Sequence, residues 1–282
     1  MHKKLSTSQK IVAYCILTVV GIILSIPFIF MISIALASDR TNIAMTFTVI
    51  PTEFNFGNIF SVFTDPRVPT WLWNSLKLVI VNMIGQVFIS TFVAYGFARF
   101  NYKHKNKIFI VLLGTMMIPG QVCLIPQFII FRELGWINTL LPLTIPAFFG
   151  GAYNIFLLRQ FIMRIPTSLD DAAKIDGLGF FGIYTKIIFP LIKPAAIAVA
   201  IFTFNWAWGE FMGPLIYTSD AKKMPLALGV QILSSVPAGA SPQYNIILSA
   251  ALILTIPLIF VYFFGQKYLY EMSISGGSES SK

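Results

Sequence analysis

Apolar residues in this chain come in long blocks rather than with the short periods of a soluble helix or strand. Six blocks are predominantly apolar, at about residues 11–36, 72–98, 108–131, 140–158, 195–217 and 246–265. Each reaches or nearly reaches the roughly 20 residues that a helix needs to cross about 30 Å of hydrocarbon. The alternation of a membrane β-barrel is absent, and inside a bilayer a helix satisfies its own backbone hydrogen bonds. The pattern therefore predicts an all-α integral membrane protein with six transmembrane helices. It also predicts two regions: residues 1–70, with an N-terminal tail, the first helix and an outer loop, and residues 71–282, a core with the other five helices.

Composition agrees with the blocks. Of 282 residues, 56% are hydrophobic and 11% charged, with mean hydropathy +0.78, whereas a soluble domain carries roughly a quarter charged residues. Lys and Arg outnumber Asp and Glu by 20 to 11, and their positions carry the meaning. Fourteen fall at the amino end (Lys3, Lys4, Lys10), in the second loop (Arg99, Lys103, Lys105, Lys107), in the fourth (Arg159, Arg164, Lys174, Lys186, Lys193) and in the tail (Lys267, Lys282). Six, namely Arg40, Arg67, Lys77, Arg132, Lys222 and Lys223, fall on the other side. The positive-inside rule places both termini and the fourth loop in the cytoplasm. The basic excess thus reports orientation, and no nucleic-acid partner is inferred from it.

Two local features have more than one reading. The first apolar run ends in Ala35-Leu36-Ala37, a small-x-small pattern that also fits a cleavable signal, but its length exceeds the roughly 7–15 residues of a signal core. It is read as an uncleaved helix. Cys15 and Cys123 lie inside separate apolar blocks and read as small buried hydrophobes rather than a disulfide.

The fourth loop is chemically unlike the rest. "SLDDAAKIDGLGFFGIYTKIIFPLIKP", residues 168–194, begins with Ser168 and Asp171 at the spacing of a capping box. Asp170 and Asp171 suit the positive end of a helix dipole. Gly177 stands where a helix would stop in a left-handed conformation, and Pro190 and Pro194 precede the fifth block. These signals predict a short helix on the membrane face, turning at Gly177.

The same stretch carries a family resemblance. Asp171-Ala172-Ala173, three residues, Gly177, nine residues and Ile187-x-Phe189-Pro190 resembles the E-A-A-x3-G-x9-I-x-L-P loop of ABC importer membrane subunits. Further wording resembles the carbohydrate branch, the maltose-G-like permeases: "NSLKLVIVN" (74–82), "AYGFARF" (94–100), "MMIPGQVCLIPQF" (116–128), "LGWINT" (134–139), "IFLLRQF" (155–161), "KIDG" (174–177) and "PLIKPA" (190–195). The resemblance covers about residues 70–270. Two departures stand inside the loop motif, Asp171 for glutamate and Phe189 for leucine, and Met272, Ser273 and Ile274 depart from the family's tail.

The resemblance implies the ABC importer permease fold, in the cell membrane of a prokaryote, with residues 164–194 holding a cytoplasmic coupling helix. It implies that Ser168, Asp171, Ala172, Ala173, Asp176, Gly177, Ile187 and Pro190 form the surface that couples to the ATPase. The implied partners are a second homologous permease, two copies of an ATP-binding-cassette ATPase, an extracytoplasmic solute-binding protein and membrane lipid. No cofactor is implied on this chain, with ATP and Mg held by the ATPase. The solute implied is a sugar or oligosaccharide.

The residues exclude other classes. No G-x-x-x-x-G-K-[ST] phosphate cradle occurs. His2 and His104 are the only histidines, so no intramembrane Ser-His pair or His-rich metal site is expected. The alternative from a different class is a secondary transporter or channel for a small polar solute, which usually carries internal repeats and ionisable groups near the bilayer midplane. Here Glu210 is the one acidic residue inside a predicted span, near its outer end.

Polar interruptions mark a candidate route. Asn82, Gln86 and Ser90 recur every four residues and share a helix face, either lining a path or bonding to a neighbouring helix. Pro119-Gly120-Gln121 and Pro126-Gln127 should kink or break the third span. "FNWAWGEF" offers Asn205, Trp206, Trp208 and Glu210, a set that suits stacking and hydroxyl binding to a sugar but also suits a tryptophan belt at the interface.

Overall fold

The computed structural model describes residues 6–38, 53–235 and 243–277. Lys3, Lys4, Arg40 and Lys282, used above for orientation, lie outside them. In chain order the main helices are α1 (Thr7–Ala35), α2 (Gly57–Ser61), α3 (Val68–Arg99), α4 (Lys105–Thr115), α5 (Gly120–Glu133), α6 (Leu141–Thr144), α7 (Ala152–Arg164), α8 (Ser168–Ile175), α9 (Phe180–Leu191), α10 (Lys193–Trp208), α11 (Met212–Tyr217), α12 (Leu226–Ser234) and α13 (Tyr244–Gly277). Among the described residues β pairing is limited to an isolated bridge between Ala37 and Phe54.

Among the described residues four spans are long and apolar enough to cross a bilayer: α1, α3, Leu141–Arg164 and Tyr244–Met272. Two bent pairs, α4 with α5 at 95° and α9 with α10 at 77°, bring the count to six. The predicted run 108–131 is thus two helices. Pro119 supplies no backbone N–H and is extended at ψ 128, acting as the start of α5, while Pro126 stays inside that helix. The predicted run 195–217 is also interrupted. α10 stops at Trp208, with Gly209 as its C-cap, and the chain restarts as α11 at Met212.

The residues cluster into two compact units, Met1–Pro66 with Val230–Ile256 and Arg67–Gly229 with Pro257–Lys282. In the first unit the C-terminal end of α1 leaves carbonyls that the helix cannot satisfy itself. Asn58 Nδ2 donates to Ala35 O at 3.0 Å and Ala37 O at 2.9 Å, and Ser249 Oγ donates to Ala35 O at 3.1 Å. These bonds tie α1, α2 and the start of α13 together. The rest of α1 is exposed along its apolar length, as a lipid-facing helix is.

In the second unit α3 is the central post, packed along α7 and α10. A small residue also lets α3 approach the turn that precedes α7: a Cβ on Gly85 would come within 3.1 Å of the Ala147 backbone carbon. One end of α3 is held to a loop. Trp71 Nε1 donates to Ala221 O at 2.6 Å, Asn74 Nδ2 to Lys222 O and Met224 O at 2.9 and 3.0 Å, and Leu226 N to Ser75 Oγ at 2.8 Å. The other end enters an apolar core. Ala94, Tyr95 and Phe97 meet Ile155, Leu158 and Ile162 of α7, Ile183, Tyr184 and Ile188 of α9, and Ala195 and Val199 of α10. The spacing of three and four residues on α7 puts its three on one stripe.

Candidate functional site: an elbow and two cavities

The predicted short helix exists, though it starts differently from expectation. Ser168 is the first helical residue of α8 and is exposed. Thr167, the N-cap, already has helical angles (φ −67°, ψ −21°), so no side chain caps the helix, and the Ser168–Asp171 capping box does not form. Pro166 sets the turn instead: Leu169 N donates to Pro166 O, and Asp170 N and Asp171 N donate to Thr167 O at 2.9 and 3.1 Å.

The C-terminal end follows expectation closely. Gly177 has φ +80°. Leu178 N donates to Ala173 O at 2.9 Å and Gly177 N to Lys174 O at 3.0 Å, the bond pair of a Schellman motif. Leu178 packs on the same core as Ala173, supplying the apolar contact that accompanies it.

α8 has two distinct faces. Asp170 and Ala173 are buried. Leu169, Ala172, Ile175 and Asp176 are exposed, Ile175 at 87% of its surface. Asp171 is exposed and pairs with Lys174 at 3.0 Å. Ala173 was expected to face a partner; it lies inside this chain's own core and seats the helix. Ile187 is half-buried against that core, and Pro190 is exposed in the last turn of α9.

The decisive contact was not singled out from sequence. Arg99, at the last turn of α3, places Nε 2.9 Å from Asp170 Oδ2, with side chains only 6% and 9% exposed. Its Nη2 donates to Ile165 O at 2.8 Å. The Nε–Oδ2 contact lacks the alignment of a hydrogen bond, and Asp170 Oδ1 is buried without a hydrogen-bond partner, so attraction of charge rather than directional bonding holds the pair. Tyr95 Oη donates to Phe180 O at 3.2 Å, and the Thr91 and Tyr184 hydroxyls lie 2.7 Å apart. Tyr95 also packs on Phe100 and Tyr184 at ring distances of 5.4 and 5.5 Å. The elbow of α8 and α9 is therefore fastened to α3 at Thr91, Tyr95 and Arg99, over about two turns. Tyr184–Ile188 form a π turn inside α9, a feature often found at functional positions.

The polar stripe of α3 divides. Asn82 is buried, its Nδ2 donating to Leu78 O and Leu143 O at 2.8 Å each, and it ties helices together. Ser90 is fully buried, accepting from Gly151 N at 3.4 Å and lying 3.5 Å from Gln86 Oε1. Gln86 alone of the three faces open space, a cavity of about 250 Å³ that it shares with Asn154, Thr203 and Trp206. Asn154 Nδ2 donates to Gln86 Oε1 at 3.0 Å.

A second cavity, about 380 Å³, contains Gln121, Gln127, Glu210 and Tyr217, with Trp206 as the residue common to both. Glu210 Oε1 accepts from Gly213 N at 2.7 Å, which orients the carboxylate. Gln121 and Asn205 are exposed, and Asn205 lines neither cavity. Trp208 is buried and stacks on Phe204 at 5.7 Å, so only Trp206 of the pair is open to a solute. Gln127 was seen only as part of a Pro-Gln interruption, and Asn154, Thr203 and Tyr217 were missed. They sit on helices whose facing only packing decides.

Residues 6–271 match the family described as "Binding-protein-dependent transport system inner membrane component". The chain belongs to this family. Among curated relatives, the family member similar over 263 residues at 30% identity, covering 93% of each chain, is the lactose transport system permease protein LacG of Rhizobium radiobacter. The trehalose/maltose transport system permease protein MalG of Thermococcus litoralis is 32% identical over 270 residues, covering 93% of this chain and 95% of its own. Among solved structures, a chain of a bacterial ABC transporter involved in import of the acidic polysaccharide alginate has the same fold, with TM-score 0.81 over 94% of this chain and 99% of that one at 21% identity. As an inner-membrane transport component, the chain is a permease subunit in which the six apolar spans are membrane-embedded.

Proposed function

We propose that this chain is one of two permease subunits of an ATP-driven, binding-protein-dependent importer of a sugar or oligosaccharide. Both termini and the elbow face the cytoplasm. There Leu169, Ala172, Ile175 and Asp176 dock on an ATP-binding-cassette subunit, which holds the ATP and Mg, while an extracytoplasmic binding protein delivers the solute to the other side. The observation that carries this reading is α8 itself. It is a helix of eight residues, pinned on its inner side by a buried ion pair and presenting Ile175 almost fully to the outside. An exposed apolar residue next to small ones, beside a rigid mount, suits a protein contact. Movement of the ATPase pair passes through Asp170 and Arg99 to α3, and α3 carries Gln86, so closure at one end alters the cavity that Gln86 lines further along the post. Alternating access is then a two-state equilibrium biased by nucleotide and by loaded binding protein. The sugar class is supported by relatives named for lactose and for trehalose and maltose.

The test is gentle extraction of the tagged chain from native membranes and identification of what accompanies it. A second six-span permease and a Walker-motif ATPase in fixed proportion are expected. Recovery of the chain as a homo-oligomer, active in solute flux without nucleotide, would overturn the reading in favour of a channel or secondary transporter.

A further inference from the structure

The two cavities that meet at Trp206 differ in chemistry from what a charged solute needs. On one side Gln86 Oε1 is occupied by Asn154 Nδ2, while Gln86 Nε2 donates to no group among the described residues and is free to donate into the 250 Å³ space. On the other side Glu210 Oε1 is taken by Gly213 N, and Glu210 and Gln127 both line the 380 Å³ space. No Lys or Arg lines either cavity. Between them Trp206 is 57% exposed, presenting an apolar ring where α10 nears its end.

We propose that this chain itself contacts the solute at Trp206, Gln86 and Glu210, and that the solute is an uncharged saccharide rather than an acidic sugar or a sugar phosphate. This deepens the importer reading and rests on it. A pyranose or furanose has apolar C–H faces that stack on an indole and hydroxyls that both donate and accept. Gln86 supplies a donor for a hydroxyl oxygen, and Glu210 accepts hydroxyl protons in charge-assisted bonds. An anionic sugar would meet Glu210 as a like charge in a setting of low dielectric, with no cation in these cavities to offset it. The fold does not decide the matter, since the structural neighbour imports an acidic polysaccharide; the lining residues do. Cavities of about 250 and 380 Å³ each have room for about one sugar ring, so contact at two successive rings of an oligosaccharide is the geometry expected.

The experiment uses the assembled complex of this chain, its sibling permease, the ATPase and the binding protein, reconstituted in vesicles. ATP-dependent uptake is measured for a neutral panel (lactose, maltotriose, arabinotriose, raffinose) and an acidic one (trigalacturonate, an alginate trimer, glycerol 3-phosphate). Uptake of a neutral probe, at least tenfold faster than any acidic one, is expected. The Trp206→Ala variant should then raise the half-saturating concentration for that probe at least tenfold, with Trp206→Phe restoring most of it, while binding-protein affinity is unchanged. Glu210→Gln removes the charge and should raise acidic uptake relative to neutral uptake at least threefold; an unchanged ratio overturns the assignment of charge selection to Glu210. Faster uptake of an acidic probe overturns the charge assignment but leaves the importer reading intact. Neutral uptake indifferent to Trp206→Ala removes the site from this chain. Uptake of neither panel in a complex that still hydrolyses ATP contradicts the carbohydrate reading itself.

Discussion

At the C-terminal end of α3, Arg99 and Asp170 are buried against each other and the elbow is pinned by Tyr95 and Thr91. Thirteen residues back along the same helix, or about 20 Å at 1.5 Å per residue, Gln86 leaves its amide donor unpaired in an open cavity. One region is polar, closed and held by a buried ion pair; the other is polar and open. A part that transmits force must not slip, so its charges are buried together. A part that passes a solute must not hold it, so its polar groups wait for partners that come and go. On the importer reading proposed above, both lie on one helix so that motion at the first reaches the second.

Removing a partner from the closed region gives the largest expected effect. Asp170→Ala leaves the Arg99 guanidinium buried without a counter-charge and should cost about 3–5 kcal/mol. A steep fall in the melting temperature of the detergent-solubilised complex, together with loss of uptake, is expected. The paired change Arg99→Met with Asp170→Leu removes both charges and should recover most of that stability, because a well-packed apolar pair avoids desolvation altogether. If Asp170→Ala melts within a degree of the parent, the pair does not hold the elbow.

Gly177 sharpens the comparison at the elbow's corner. At φ +80° any L side chain is strained by about 1–2 kcal/mol, yet a Cβ there would touch nothing within 4 Å. Gly177→Arg should therefore leave the membrane spans folded while uncoupling hydrolysis from uptake. ATPase activity that persists with uptake reduced at least tenfold is the outcome to look for, and normal uptake would contradict it. In the open region Gln86→Leu should do the reverse. Stability should change by about 1 kcal/mol or less, since the residue has a single side-chain partner outside its own helix, while uptake falls severalfold. Unchanged uptake would return the stripe on α3 to a purely structural role. The smallest effect belongs to Asp171→Asn, whose pair with Lys174 is exposed on both sides and should contribute about 0–1 kcal/mol; thermal melting in high and low salt checks it.

Much of this arrangement was legible in the chain. The uninterrupted blocks at α1, α3 and α13 gave spans because apolar length alone decides them, and Gly177 gave the elbow's corner because few residues tolerate that backbone. Spans three and five were misjudged in continuity. Hydropathy is blind to whether a proline sits inside a helix or begins a new one, and Pro119 begins α5 while Pro126 lies inside it. The capping box at Ser168 failed because Pro166 already turns the chain one residue earlier. Arg99 and Asp170 read as an orientation charge and a dipole charge, each sufficient in local terms, and nothing in their spacing announces that folding buries one on the other. The cavity divided the same way. Gln86 was visible as part of a stripe, but only packing reveals that Asn82 turns to Leu143 and that Trp206, not Trp208, is left open.

The central claim is that α8 is covered by the ATPase in the working complex. With Cys15 and Cys123 replaced by alanine, Ile175→Cys offers a single thiol on the exposed face of α8. Its rate of reaction with a small maleimide is compared in the permease pair alone and in the complex with the ATPase. A drop of at least tenfold on assembly is predicted. Equal labelling rates in both would mean that nothing sits on the elbow, and the account of coupling would be contradicted at its base.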